Sequence, residues 1–393
     1  MSRCFIHAVG IANALGSGCE AVRRGLLAGD SSGMRTEDGW LPGAAARVGR
    51  VSASLPPTPR EHAQFDCRNN RLLLLALEEI RGPLSAALER VAPQRFGVVL
   101  GTSTAGIAEG EAAMAARMRD GSFPHGFQYL QQEIGRSAQF LARHLALTGP
   151  AYVVSTACTS SVKAIAAACR LIRAGVCDAV LTGGADTLCR LTVNGFAALE
   201  STTPELCNPL SRNRRGINLG EGVALMLVCG EPAAVEIFGF GESSDAHHIS
   251  APDPAGRGAE AAMRTALAES RFAPEEVDYL NLHATATPMN DQVEAHAVHR
   301  VFPRGVACSG TKPLTGHTLG AAGATEVAFC WLALQGDGRL PPHVWDGEAD
   351  PELPTLMQTV PGARFRRGHG RICMSNSFAF GGSNASLILG DAR

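Results

Sequence analysis

The chain has 393 residues, 45% hydrophobic and 18% charged, with a net charge of −2. Such a balance describes a well-buried globular protein larger than one ordinary core, and gives no compositional support to disorder or nucleic-acid binding. No secretory signal pattern and no apolar run of roughly 18 residues occurs, and the scattered cysteines include no CxxC pair, so a reduced, cytoplasmic protein without a membrane span is expected.

In chain order, apolar strand-like runs alternate with helical ones. Residues 96–100 read as a strand ending in Gly101-Thr102-Ser103, and 127–147 as helix, broken by Gly149-Pro150. Residues 151–155 read as a strand that turns into a helix carrying Val162, Ile165, Cys169 and Ile172 at helical spacing. Strands are expected at 179–182 and 223–229. Beyond Gly230 the pattern restarts with strand 234–238, helix 259–270, strand 277–282, helix 291–301, strand 372–374 and strand 386–389. This alternation predicts an α/β protein. Segments 31–64 and 335–369, rich in Gly, Pro and charge, read as surface excursions.

Cys158 stands at the strand-to-helix junction, within Thr156-Ala157-Cys158-Thr159-Ser160-Ser161. Free backbone N–H groups and the positive end of the helix dipole favour the nucleophilic thiolate there. A cysteine in such a segment also serves simply as a small buried hydrophobe. Two histidine motifs accompany it: Asn281-Leu282-His283-Ala284-Thr285-Ala286-Thr287 after a strand, and Lys312-Pro313-Leu314-Thr315-Gly316-His317-Thr318-Leu319-Gly320 before an Ala-rich helix. Near the C-terminus, Ser375-Asn376-Ser377-Phe378-Ala379-Phe380-Gly381-Gly382-Ser383-Asn384 reads as a loop suited to close backbone approach to a ligand.

Together these motifs resemble the elongating β-ketoacyl-[acyl carrier protein] synthases, condensing enzymes of the thiolase superfamily. The resemblance starts at Ile6-His7-Ala8-Val9-Gly10, continues through Asp245-Ala246-His247-His248, and closes at Ser383-Asn384-Ala385-Ser386. It implies a duplicated thiolase-like α/β fold in five αβαβα layers. One half, 1–230, would carry the nucleophile, and the other, 231–393, both histidine motifs. The implied reaction is decarboxylative Claisen condensation of a malonyl thioester with an acyl group held on Cys158. By resemblance, the backbone N–H groups of Cys158 and Phe378 bind the oxyanion, and Phe378 is the gatekeeper ring. His283 and His317, as neutral imidazoles, stabilise the enolate, and Lys312 is a supporting charge. Asp291 and Glu294 match acidic positions of the family, although Asp-x-x-Glu is also a capping box. Thr285, Thr287 and Phe380 fall at substrate-binding positions. Asn281, Glu326, Ser375 and Asn376 fall where some relatives bind a monovalent cation.

No cofactor is implied beyond the phosphopantetheine arriving on acyl carrier protein. That partner is acidic, so Arg68, Arg71, Arg212, Arg214 and Arg215 are candidates for a basic docking rim, or an ordinary charged surface. The second subunit is an identical chain or a paralogous chain-length subunit. No metal site is expected, because His296 with His299 and His247-His248 lack completing ligands. Three departures stand out: Ala284 and Ala379 replace the family's glycines, and Asn208-Pro209-Leu210-Ser211 replaces Pro-Phe-Asp. They suggest a specialised synthase, of aryl-polyene type for example. The alternative reading is a non-catalytic chain-length partner, which the presence of Cys158 disfavours.

Overall fold

The computed structural model describes residues 2–366 and 370–392. Its first five framework strands are β1 (Cys4–Asn13), β2 (Phe96–Gly101), β3 (Ala151–Val154), β4 (Ala179–Asp186) and β5 (Gly222–Cys229). The next five are β6 (Val235–Ser244), β7 (Tyr279–Leu282), β8 (Ala307–Gly310), β9 (Ile372–Ala379) and β10 (Ser383–Asp391). Their spatial orders are β1-β5-β4-β2-β3 and β6-β10-β9-β7-β8. In both sets the first two pairings are antiparallel and the last two parallel. One topology therefore occurs twice, although the two halves share little sequence. The sets join where β1 pairs antiparallel with β6, Cys4 opposite Ile237.

The principal helices are α1 (Arg68–Glu79), α2 (Arg136–His144), α3 (Ser160–Arg173), α4 (Arg257–Ser270), α5 (Pro288–Val301) and α6 (Ala322–Gln335). On the outer face of the first sheet, Leu72, Leu73 and Leu77 of α1 and Phe140 and Leu141 of α2 meet Val98, Leu100 and Leu181. On the outer face of the second, Met263 and Ala266 of α4 and Val298 of α5 meet Leu280, Met374 and Ile388. Between the sheets, Val162, Ile165 and Cys169 of α3 and Val327, Phe329 and Cys330 of α6 meet Val99, Val180, Cys373 and Leu389. Val98 and Leu100 face out while Val99 faces in, so β2 is apolar on both faces, as a sheet covered on both sides requires. The same position explains α6, which is buried on nearly every side and has no polar stripe. The layers run αβαβα.

The centre of the fold aims the nucleophile. The start of α3 lies directly on the end of β2: a Cβ at Gly101 would meet the Ser161 nitrogen at 2.3 Å. Only glycine permits that approach. Three expectations need correction. Residues 127–147 are not one helix but a short turn, Tyr129–Gln131, followed by α2, with Gly135 at the break. Segment 31–64 contains a hairpin, Met34–Leu41 with Ala44–Gly49, whose Leu41, Ala46 and Val48 pack against Val193 and Leu219. Segment 375–384 is mostly strand: β9 and β10 pair from Ile372 opposite Gly390 to Ala379 opposite Ser383, leaving Phe380–Gly382 as the turn. Residues 367–369 of the other surface segment lie outside the described residues.

Candidate active site

Cys158 sits in a strained turn between β3 and α3. Ala157 has φ +52, in the left-handed region that a Cβ disfavours. Local hydroxyls hold the turn: Thr159 Oγ1 donates to Thr156 O (2.7 Å), and Ser160 Oγ to Ala157 O (2.5 Å). Thr159 Oγ1 also meets Ser383 Oγ at 2.9 Å, tying the turn to the start of β10.

His317 Nε2 lies 2.9 Å from Cys158 Sγ. The His283 ring stands 5.4 Å from that of His317, centre to centre, at 82°. The sulfur and one nitrogen of each ring all lie within 4.8 Å of one another. The three residues face one small cavity, lined also by Phe196, Ser201, Ile217, Thr285, Thr287, Asn290, Phe378 and Phe380.

Each histidine loop is fixed by its backbone. Glu294 on α5 accepts from His283 N (2.8 Å) and Ala284 N (2.7 Å). Asp291 accepts from Ala286 N (3.0 Å) and Leu210 N (2.7 Å). These carboxylates hold Ala284 (φ +42) and Ala286 (φ +64) in the left-handed region. The capping-box alternative fails, because α5 begins at Pro288, a turn earlier. His317 N donates to Asn218 O at 2.7 Å, and Gly220 N donates to His317 O at 3.0 Å.

Lys312 is buried and pairs with Glu326 at 2.5 Å. Its ammonium also donates to His283 O and lies 3.4 Å from His283 Nδ1. An ammonium has only donors, so Nδ1 must be the acceptor and the neutral ring carries its proton on Nε2. That Nε2 is buried without a partner and lies on the cavity side of the ring. Burial, then the Lys312 charge, pulls both histidines well below their usual range, so both are neutral at pH 7.

The expected standing thiolate is not the resting form. Burial pushes the Cys158 thiol up to about 12, against the opposing pull of Lys312 and two backbone N–H groups. Those N–H groups belong to Cys158 itself and to Phe380. The donor beside Cys158 is therefore Phe380, not Phe378, because the β9–β10 turn falls at 380–382. Phe380 also packs on Phe196 (5.4 Å), while Phe378 stands against His283 (6.1 Å).

Several other expected residues are placed differently. Arg68 clamps the buried Glu221 (2.9 and 2.6 Å), Arg71 pairs with Asp66 (2.6 Å), and the largely buried Arg214 pairs with Asp350. None of these three is a free docking charge; Arg212 and Arg215 are exposed. Asn281 and Ser375 are neighbours across β7 and β9, and Asn281 Oδ1, Ser375 Oγ and Glu326 Oε2 are buried without partners. Asn376 instead bonds Glu294 (3.3 Å) and Ser386 (2.8 Å). Cys158, His283 and His317 also form a soft ligand trio, but among the described residues no fourth metal-binding side chain joins them, and the adjacent Lys312 ammonium opposes a divalent ion.

Asp186 escaped sequence reading, although an acid closing the run Gly183-Gly184-Ala185 was a visible signal. Fully buried, it accepts from Thr102 Oγ1 (2.6 Å), Thr104 Oγ1 (2.7 Å), Ser103 N (2.8 Å) and Ala321 N (3.1 Å). It thereby pins the far end of the His317 loop to the first half. Phe196, Ser201, Ile217 and Asn290 carried no sequence signal.

Residues 51–234 match "Beta-ketoacyl synthase, N-terminal domain" and 234–344 match "Beta-ketoacyl synthase, C-terminal domain". This chain belongs to the β-ketoacyl synthase family. Among curated relatives, nodulation protein E of Rhizobium sp. (strain N33) is 32% identical, over 98% of each chain. The 3-oxoacyl-[acyl-carrier-protein] synthase 2 of Coxiella burnetii is 37% identical over 62% of each. Among solved structures, a chain of the ketosynthase (ApeO) in complex with its chain length factor (ApeC) from Xenorhabdus doucetiae superposes with a TM-score of 0.95 at 44% identity, covering 100% of this chain and 98% of that one. The ketosynthase fold is thus shared over its whole length. Among the described residues no helix is long and apolar enough to cross a membrane.

Proposed function

We propose that this synthase is the bond-forming member of its assembly, an acyltransferase that joins an acyl group on Cys158 to a malonyl thioester. The observation carrying this reading is the intact trio: a buried thiol 2.9 Å from one neutral imidazole, with the unpaired Nε2 of the other facing the same cavity. In the first step the thiol proton passes to His317 Nε2 as sulfur attacks the donor thioester. The tetrahedral oxyanion accepts from the N–H groups of Cys158 and Phe380. It collapses to a Cys158 thioester, and the departing thiol regains the proton. In the second step a malonyl thioester loses CO₂, and its enolate oxygen accepts from the Nε2–H of His283, with His317 lining the same cavity. The enolate carbon then attacks the Cys158 thioester, sulfur leaves as a thiolate that takes up a proton from solvent to restore the thiol, and a β-ketoacyl thioester is released. Lys312 keeps His283 in the tautomer that this step requires and keeps it neutral.

The thioester arms arrive as phosphopantetheine on acyl carrier protein, and Thr285 and Thr287, 3.0 Å apart on the cavity wall, receive the arm. The unpaired oxygens of Asn281, Ser375 and Glu326 suit a monovalent cation, which takes oxygen ligands. We take 1–230 and 231–393 as the two halves of the duplication, since each contains the same five-strand order. Twelve unpaired cysteines support a reducing, cytoplasmic setting. The partner is a paralogous chain-length subunit, as in the ketosynthase and chain length factor complex that this fold matches. The intact trio disfavours assigning this chain the non-catalytic role.

Incubation with an acyl-carrier thioester is expected to add one acyl group, by intact mass, at Cys158. Acylation of another cysteine, or of none, overturns the reading. A Cys158→Gln variant is expected to lose condensation while still releasing CO₂ from the malonyl donor.

A further inference from the structure

A second cavity lies beneath the Met34–Gly49 hairpin, with a volume of ≈ 170 Å³. Leu41, Ala46, Val48, Val193, Ile217 and Leu219 give it an apolar lining. Ala44 and Pro204, also on its wall, are exposed and mark its outer rim. A protein interior keeps few voids larger than a water molecule. This one has room for part of a chain, and is smaller than a site for a whole ligand, about 300–1,000 Å³.

Ile217 lines both this cavity and the one holding Cys158 and His317. Its backbone cannot give way, because Ile217 N donates to Ser201 O (2.8 Å) and Thr203 N donates to Ile217 O (3.1 Å). The flanking residues are tied to the histidine loops: Gly216 N donates to Ala286 O (2.9 Å), and His317 N donates to Asn218 O (2.7 Å). Gly216 has φ +136, and a Cβ there would meet Ser201 O at 2.5 Å, so this path of the chain requires glycine. Only the Ile217 side chain is left to move, by exchange between staggered rotamers.

We propose that the cavity under the hairpin is a second acyl lobe, with Ile217 as the partition through which the distal part of a long acyl chain on Cys158 enters it. This rests on the condensing-enzyme reading. The catalytic cavity, ≈ 10 Å³, must admit the reacting thioester and the pantetheine arm. That is less than ligand sites commonly offer, so a long chain needs further volume. Most of the lining is apolar and suits an apolar occupant, while Arg47, Thr202 and Thr203 are the polar residues on the wall. Ile217 is then a specificity-determining residue, and the hairpin is the roof of a binding site.

The test compares acylation of Cys158 by acetyl and by dodecanoyl thioesters, followed by intact mass. In Ala46→Phe and Val193→Phe, which fill the lobe from opposite walls, the dodecanoyl-to-acetyl rate ratio is expected to fall at least about tenfold. In Ile217→Ala, which opens the partition, the ratio is expected to rise by about threefold or more. A ratio within about twofold of wild type in all three variants overturns the lobe and leaves the condensing reading standing. If the filled variants do not fold, as shown by lost acetylation, Ile217→Ala alone decides: an unchanged or lowered ratio overturns the lobe. Failure of the wild-type protein to accept either acyl group at Cys158 overturns the condensing reading itself, and the lobe with it.

Discussion

The state of one sulfur sets the chemistry. A thiol at a helix start is expected to ionise readily, yet Cys158 is buried, and burial outweighs the dipole and the nearby ammonium. The two neutral rings complete the same logic: burial, and after it the Lys312 charge, disfavours a positive charge on either ring, so neither histidine is an imidazolium able to hold a thiolate in an ion pair. Alkylation of Cys158 by iodoacetamide should therefore show no plateau near neutral pH. Between about pH 7 and 9 its rate is expected to rise roughly tenfold per unit, because the thiolate fraction grows as the pH approaches a raised pKa. A flat profile over that range would mean a pre-formed thiolate. Cys158, His283, His317 and Lys312 were legible in sequence because each sits in a short motif whose neighbours are diagnostic. The oxyanion donor was not. Phe378 and Phe380 are two residues apart, and only the turn position decides which N–H reaches sulfur.

At the scale of elements, the site is held by side chains bonding to distant backbone. Glu294 and Asp291 on α5 grip the His283 loop, and Asp186 at the end of β4 grips the segment after His317. His343 does the same for β8: its Nδ1 accepts from Gly310 N (3.0 Å), and its Nε2 donates to Pro209 O (3.1 Å). Burial lowers its pKa to about 4. Its folded-state pKa is thus below the unfolded value, and its contribution to stability is complete above about pH 6.5 and is lost as pH falls toward 4. The difference in unfolding free energy between wild type and His343→Asn should shrink by ~1.4 kcal/mol per pH unit over that window. Urea titrations at several pH values measure it, and comparing the two proteins cancels the other titrating groups. A pH-independent difference would show that His343 titrates normally. The pairing of two candidate docking arginines was hidden at this same scale. The partners of Arg68 and Arg214, Glu221 and Asp350, lie far along the chain, and no local pattern announces such a pair.

The whole molecule ends in an edge. β3 is the last strand of the first sheet, and its Tyr152 is exposed. Large apolar side chains of the same half are also exposed, among them Met118 (83%) and Tyr129 (66%). A bare edge is a place for another chain to pair, and exposed apolar side chains favour such contacts. A second chain, identical or paralogous, is expected there, so Met118→Lys with Tyr152→Lys should turn a purified pair into single chains by size-exclusion with light scattering. A pair that survives both charges places the interface elsewhere. By itself, the sequence singled out the α/β class, Cys158, both histidines and Lys312, because these depend on local periodicity and short motifs. Only the tertiary structure decided the repeated strand order, the resting thiol, the identity of the oxyanion donor and the cavity behind Ile217. Each of those depends on which distant surfaces are buried against one another, and burial belongs to the folded chain rather than to any stretch of its letters.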